Sequence, residues 1–149
     1  MKVEPHETAT ERLRDAGQRY TDQRRRLVDL LADAGSPRSI PEILESRADL
    51  KQSSVYRNLA VLEQARVVRR VLTDEEYGRS ELTEDLTGHH HHLMCTSCGR
   101  VQDVRVPSDL EGSLDRTLDR LARRAGFADV DHRLDLIGVC GDCARGVAR

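Results

Sequence analysis

With 149 residues, 34% of them charged and only 3% aromatic, the chain can form one ordinary domain or two small ones with modest aliphatic cores. No apolar run approaches the roughly 18 residues of a membrane span, and the polar start Met1-Lys2-Val3-Glu4-Pro5-His6-Glu7 is unlike a signal peptide, which predicts a cytoplasmic protein without a membrane partner. The net charge of −2 hides an asymmetry: residues 1–72 carry +3 and residues 73–149 carry −5, which suggests a different partner for each half.

Glu7 to Ala16 reads as a short helix closed by Gly17. Thr21 can cap a second helix with Leu27, Leu30, Leu31 and Ala34 at helical spacing and Gly35 at its end. Ser39-Ile40-Pro41-Glu42 is an N-cap with proline in the first turn, opening a short helix through Ile43 and Leu44. Lys51-Gln52-Ser53-Ser54 leads into a fourth helix with Val55, Leu59 and Leu62 on one face. Val67–Leu72 and Arg79–Thr83 read as two strands around a polar turn that includes Gly78. Short helices followed by a hairpin form the pattern of a winged helix-turn-helix, here residues 1–84.

Residues 85–88 read as a hinge. Beyond it, residues 89–149 predict a small second domain. His89–Cys95 and Val101–Val106 alternate like strands, residues 108–125 form a helix striped by Leu110, Leu114, Leu118 and Leu121, and Val130–Val139 reads as a third strand. About 60 residues in β-β-α-β order bury little alone. A second copy of the chain would extend the sheet and cover the helix, so a homodimer is expected. The fold class is therefore α+β, a winged helix-turn-helix followed by a small α/β dimerisation domain.

Two knuckles mark the second half. Cys95-Thr96-Ser97-Cys98 and Cys140-Gly141-Asp142-Cys143 each let two thiolates chelate one ion, and together they complete the four-thiolate shell of structural zinc. A redox C-x-x-C normally occurs singly beside a βαβ pattern, and disulfides belong to secreted chains. The run His89-His90-His91-His92 is internal, unlike an expression tag. Because successive strand residues point to opposite faces, His89 and His91 would serve one metal site and His90 and His92 another. His132 on the third strand, Asp103 and Glu111 are candidate further ligands, although Glu111 is also explained by its place near a helix N-terminus.

The first half carries different chemistry. Ser53, Ser54, Tyr56 and Arg57 cluster at the start of the second helix of the helix-turn-helix, where recognition helices present side chains to base edges. Arg24, with Arg25 and Arg26, can lie over phosphates. Double-stranded DNA is the expected partner.

With these motifs placed, the chain resembles the ferric uptake regulator (Fur) family of metal-dependent repressors. The match lies in Tyr20-Thr21-Asp22-Gln23-Arg24, Ser54-Val55-Tyr56-Arg57-Asn58-Leu59, the stretch from His89 through Cys95 and Cys98 to Gly99, and Leu136 to Cys143. The resemblance implies a homodimer that binds a palindromic operator when metallated. It implies structural zinc on Cys95, Cys98, Cys140 and Cys143, and a sensing site of His90 and His92 with Glu81 and Asp103. It also implies a second site of His89, His91 and His132 with a helix carboxylate, either Glu111 or Asp115. One histidine that the family often contributes from its DNA-binding domain is missing, with Pro37 near its place. His91 stands where iron sensors of the family often have aspartate, and imidazole suits zinc, so the regulatory divalent metal is expected to be Zn2+, ahead of Fe2+ or Mn2+. The competing readings are a metalloenzyme with a histidine/carboxylate zinc centre and a metal-storage protein. The first lacks a general base beside the cluster and the second leaves the helix-turn-helix unexplained, so the chain is not expected to be an enzyme.

Overall fold

The computed structural model describes residues 4–73 and 78–147. In chain order these form α1 (Pro5–Asp15), α2 (Asp22–Asp33), α3 (Ile40–Ser46), α4 (Gln52–Gln64), β1 (Val68–Val71), β2 (Arg79–Leu82), α5 (Glu84–Thr87), β3 (His91–Cys95), β4 (Val101–Val104), α6 (Ser108–Arg124), β5 (Asp135–Gly138) and α7 (Gly141–Ala144). The turn expected between the two wing strands includes residues 74–77, which lie outside the described residues.

Local signals set the first half. Pro5 starts α1 two residues ahead of the predicted boundary, because its missing N–H costs nothing in the first turn. Thr21 Oγ1 accepts from the Arg24 backbone N–H, and Ser39 and Glu42 exchange hydrogen bonds as a capping box at the head of α3. Leu27, Val28 and Leu31 of α2 and Val55, Leu59 and Leu62 of α4 meet Leu13, Ile43, Val67, Val68 and Leu82 in one aliphatic core. Each such side chain contributes about 1.5–3 kcal/mol on full burial. The wing is an antiparallel pair in which Arg69 faces Glu81 and Val68 faces Leu82, and a bridge from Arg38 to Ser80 ties it to the entry of α3.

The second half is built differently. Its sheet has the order β4-β3-β5, with β3 antiparallel to β4 and parallel to β5. Among the described residues α6 buries none of its side chains in this chain and β5 is exposed along its length. Leu110 and Leu121 of α6 and Leu136 and Ile137 of β5 lie open. The expected third strand shrinks to Asp135–Gly138, so His132 precedes it. Likewise β3 begins at His91 and not at His89, because pairing with β4 starts at His91 and with β5 at His92. No described helix is long and apolar enough to cross a membrane.

Between the halves, residues 84–87 form a helical turn held by side chains of the first half. Arg69 binds Glu84, and Arg12 of α1 binds Asp85 and the carbonyl of Arg66. Gly88 follows at φ +85°, where an L side chain would be strained, and turns the chain into the histidine run.

Candidate metal centres and recognition helix

Three groups of ligand-type side chains converge among the described residues, each with its ligand atoms within 4.8 Å of one another. They are Cys95, Cys98, Cys140 and Cys143; Glu81, His90, His92 and Asp103; and His89, His91, Glu111 and His132.

The sulfur group depends on strand pairing. Cys95 ends β3 opposite Gly138, and Cys140 follows two residues later as the N-cap of α7, so parallel pairing sets the two knuckles side by side. All four thiols are free, and Cys98 Sγ lies 3.8 Å from Cys140 Sγ. Tetrahedral zinc with Zn–S bonds of about 2.3 Å requires sulfur–sulfur edges of about 3.8 Å. The Cys140 backbone N–H donates to Cys95 Sγ at 3.2 Å. That bond and a second from the Cys98 N–H lower the Cys95 thiol to about 6, favouring the thiolate that binds metal. The donor set and spacing fit zinc.

The second group joins both halves of the chain. Glu81 sits on the wing, His90 just before β3, His92 on β3, and Asp103 opposite His92 on β4. Glu81 Oε2 lies 3.1 Å from Nε2 of His90 and 3.1 Å from Nε2 of His92. Asp103 offers one oxygen to each of those imidazoles at 3.9 Å. Burial alone would raise the Glu81 pKa, but the two histidines and Arg69 hold it well below the usual carboxylate range. The Glu81 hydrogen bond lifts His90 to about 9, whereas burial raises Asp103. Asp103 Oδ1 is buried without a hydrogen-bond partner, a desolvated acceptor suited to a cation. The ring nitrogens facing away are engaged too, His90 Nδ1 at 2.8 Å from the Gly88 carbonyl and His92 Nδ1 at 3.3 Å from Asp135 Oδ1. Such outer contacts fix the tautomer and orientation of ligand histidines.

The third group centres on Glu111, in the first turn of α6. His91 Nε2 is 2.9 Å from Oε2, and His89 Nε2 is 3.1 Å from Oε1. His132 Nε2 lies 2.8 Å from Oε1, yet it is buried and makes no aligned hydrogen bond. Close approach without that alignment suits two ligand atoms turned towards a common ion. The His132 ring packs within 5.1 Å of His89 and 5.3 Å of His91. Asp115 touches the other nitrogen of His132, Nδ1, at 3.2 Å, so Glu111 faces all three imidazoles and Asp115 only the outside of one.

The nucleic-acid candidates sit at the start of α4. Ser53, Tyr56 and Arg57 are exposed and Ser54 is half-buried. Arg24 points partly inward: its Nε donates to Asn58 Oδ1 of α4 at 3.1 Å, and its guanidinium also binds the Arg19 carbonyl. Arg25 stacks over the Tyr20 ring at 4.3 Å, and Arg26 pairs with Asp49 at 2.7 Å. Sequence reading missed Arg69, Glu84 and Asp135, which hold candidate ligand side chains from outside the clusters. Arg69 and Glu84 carry no spacing motif, and Asp135 meets His92 across 43 residues of sequence.

Residues 15–137 match the model of the ferric uptake regulator family. The chain is 32% identical over 137 residues to the ferric uptake regulation protein of Campylobacter jejuni subsp. jejuni, a match covering 88% of this chain and 83% of that protein. It is 28% identical over 141 residues to the peroxide operon regulator of Bacillus subtilis, covering 92% of each. A solved structure of a zinc-bound manganese uptake regulator, 31% identical, matches with a TM-score of 0.65 over 93% of this chain and 99% of that one.

Proposed function

This chain belongs to the ferric uptake regulator family, and we propose that it is a metal-responsive repressor of transcription that binds a palindromic DNA operator as a homodimer. Family membership places it among transcription regulators and not enzymes. The observation that carries the reading is the meeting of Glu81 with His90, His92 and Asp103 at one point. A ligand from the winged helix and three from the following unit would be tied together by one cation, which makes the orientation of the DNA-binding unit depend on metal.

In this reading Cys95, Cys98, Cys140 and Cys143 hold structural Zn2+ and staple α7 to β3. Glu81, His90, His92 and Asp103 form the sensing site, and His89, His91, Glu111 and His132 the second site of the dimerisation domain. Residues 1–84 form the DNA-binding domain, 85–88 the hinge and 89–149 the dimerisation domain. The open leucines of α6 and the exposed β5 are covered by the second copy, which sets two α4 helices for half-sites one helical turn apart. Ser53, Ser54, Tyr56 and Arg57 read base edges and phosphates, with Arg24 supporting them. Two imidazoles and two carboxylates accept Zn2+, Fe2+ and Mn2+. The two buried imidazoles lean the choice towards Zn2+, ahead of Fe2+ or Mn2+.

An electrophoretic shift with a promoter fragment carrying a palindrome tests the function. Retardation should require added divalent metal, vanish with chelator and return on re-addition. Binding that ignores chelator, or no retardation with any of the three metals, would reject the metal-responsive repressor. Affinity ranking of Zn2+, Fe2+ and Mn2+ tests the choice of metal.

A further inference from the structure

A continuous chain of hydrogen bonds joins the two histidine clusters through residues outside both ligand sets. Glu81 turns Oε2 to His90 and His92, while its Oε1 accepts from Arg69 Nε at 2.5 Å. Arg69 Nη1 donates to Glu84 Oε1 at 2.7 Å, and Glu84 Oε2 lies 2.9 Å from His89 Nδ1. His89 in turn presents Nε2 to Glu111 Oε1. Arg69 and Glu84 are 19% and 21% exposed, so solvent screens this path only in part.

We propose that Arg69 and Glu84 are positioning residues that couple the two clusters. A divalent cation held by His89, His91, Glu111 and His132 then tightens binding at Glu81, His90, His92 and Asp103, and the reverse. The inference rests on the reading of both clusters as metal sites. His89 offers Nε2 to the cation, and the added positive charge makes its Nδ1–H a stronger donor to Glu84. Glu84 opens α5, the turn between the two units. With its carboxylate fixed, Arg69 stays on Glu81 Oε1, and Glu81 Oε2 stays aimed at His90 and His92. A second cation then meets a site already ordered, and less ordering remains to oppose its binding. The guanidinium suits the role because its planar fork serves two carboxylates in different directions, which a lysine ammonium on a flexible stem does poorly. The pairing of Arg69 with Glu81 across the wing extends the same path to the DNA-binding unit.

Cobalt(II) titrated into the full chain, with zinc at the cysteine site, tests the coupling by visible absorption and calorimetry. His132→Ala disables one cluster, and the affinity of the other should fall at least about fivefold, the lower end of typical site-to-site coupling. In a Glu84→Gln background both clusters should still bind cobalt, but His132→Ala should then change the affinity of the remaining one by less than about twofold. Arg69→Lys should give an intermediate ratio, since it keeps the charge and loses the fork. A merely structural role would shift both affinities and leave their ratio alone. Circular dichroism confirms folding, and Glu84→Gln decides the matter if Arg69→Lys does not fold. An undiminished ratio in Glu84→Gln overturns the coupling. No cobalt bound beyond the cysteine site in the unaltered protein overturns instead the metal-site reading beneath it.

Discussion

Glu81 Oε2 stands 3.1 Å from His92 Nε2, although Glu81 belongs to the wing and His92 to the sheet of the second unit. The same oxygen is as close to His90. The relative position of the two units is therefore registered at one carboxylate oxygen, buried and shared by two imidazoles. A ligand that binds only the arrangement in which these groups meet shifts the population towards it by its differential affinity.

His90→Ala combined with His92→Ala should leave a folded dimer whose operator binding no longer responds to metal. His89→Ala combined with His91→Ala should weaken affinity or stability more gently, since Glu81 and Asp103 keep both of their imidazoles. Gel shifts across a metal titration compare the two. Identical behaviour of the two double mutants would refute the assignment of alternate histidines to separate sites.

Cys95→Ser or Cys140→Ser removes one thiolate from a shell whose binding free energy, on the order of 10 kcal/mol for structural zinc, is part of folding. The second unit has little other core: α6 and β5 bury no side chain within this chain. Both mutants should lose their zinc, their dimer and part of their helical signal. Sedimentation, metal analysis and circular dichroism follow these losses, and a folded dimer that retains one tight zinc per chain would exclude the four-cysteine site.

The alternation of the histidine run was legible because strand side chains have a period of two, which holds even though His89 and His90 precede β3. The knuckles were legible because chelation by two cysteines needs local spacing. The extent of β5 was not. The apolar alternation of residues 130–139 looks uniform, but only Asp135–Gly138 pair with β3. The four residues of α7 are too few to show a helical period. Arg69 and Glu84 escaped for another reason: contacts across 12 and 15 residues arise when the wing packs against α5, and neither residue type announces its partner.

Glu111 and Asp115 should differ in consequence. Glu111→Gln removes a carboxylate that faces three imidazoles, whereas Asp115→Asn weakens only the outer contact of His132. Asp115→Asn is expected to cost about 10–100-fold in affinity at this cluster, the usual effect of losing an outer-shell partner. Glu111→Gln should cost more. Calorimetric titration measures both, and the reverse order would make Asp115 the ligand.

DNA recognition should separate Arg57 from Arg24. Arg57 is exposed near the start of α4, and Arg57→Ala should cost roughly 1–3 kcal/mol and relax specificity if its guanidinium reads a base. Arg24 instead has its Nε on Asn58 and another donor on the Arg19 carbonyl, which locks the start of α2 against α4. Arg24→Ala should therefore weaken operator and non-operator DNA alike through a looser α4, without changing the salt dependence of binding. A lost phosphate contact would instead lower the slope of log affinity against log salt by about one. Fluorescence anisotropy at several salt concentrations reads both quantities. A reduced slope would reassign Arg24 to the DNA backbone, and unchanged affinity and specificity in Arg57→Ala would move the recognition surface away from α4.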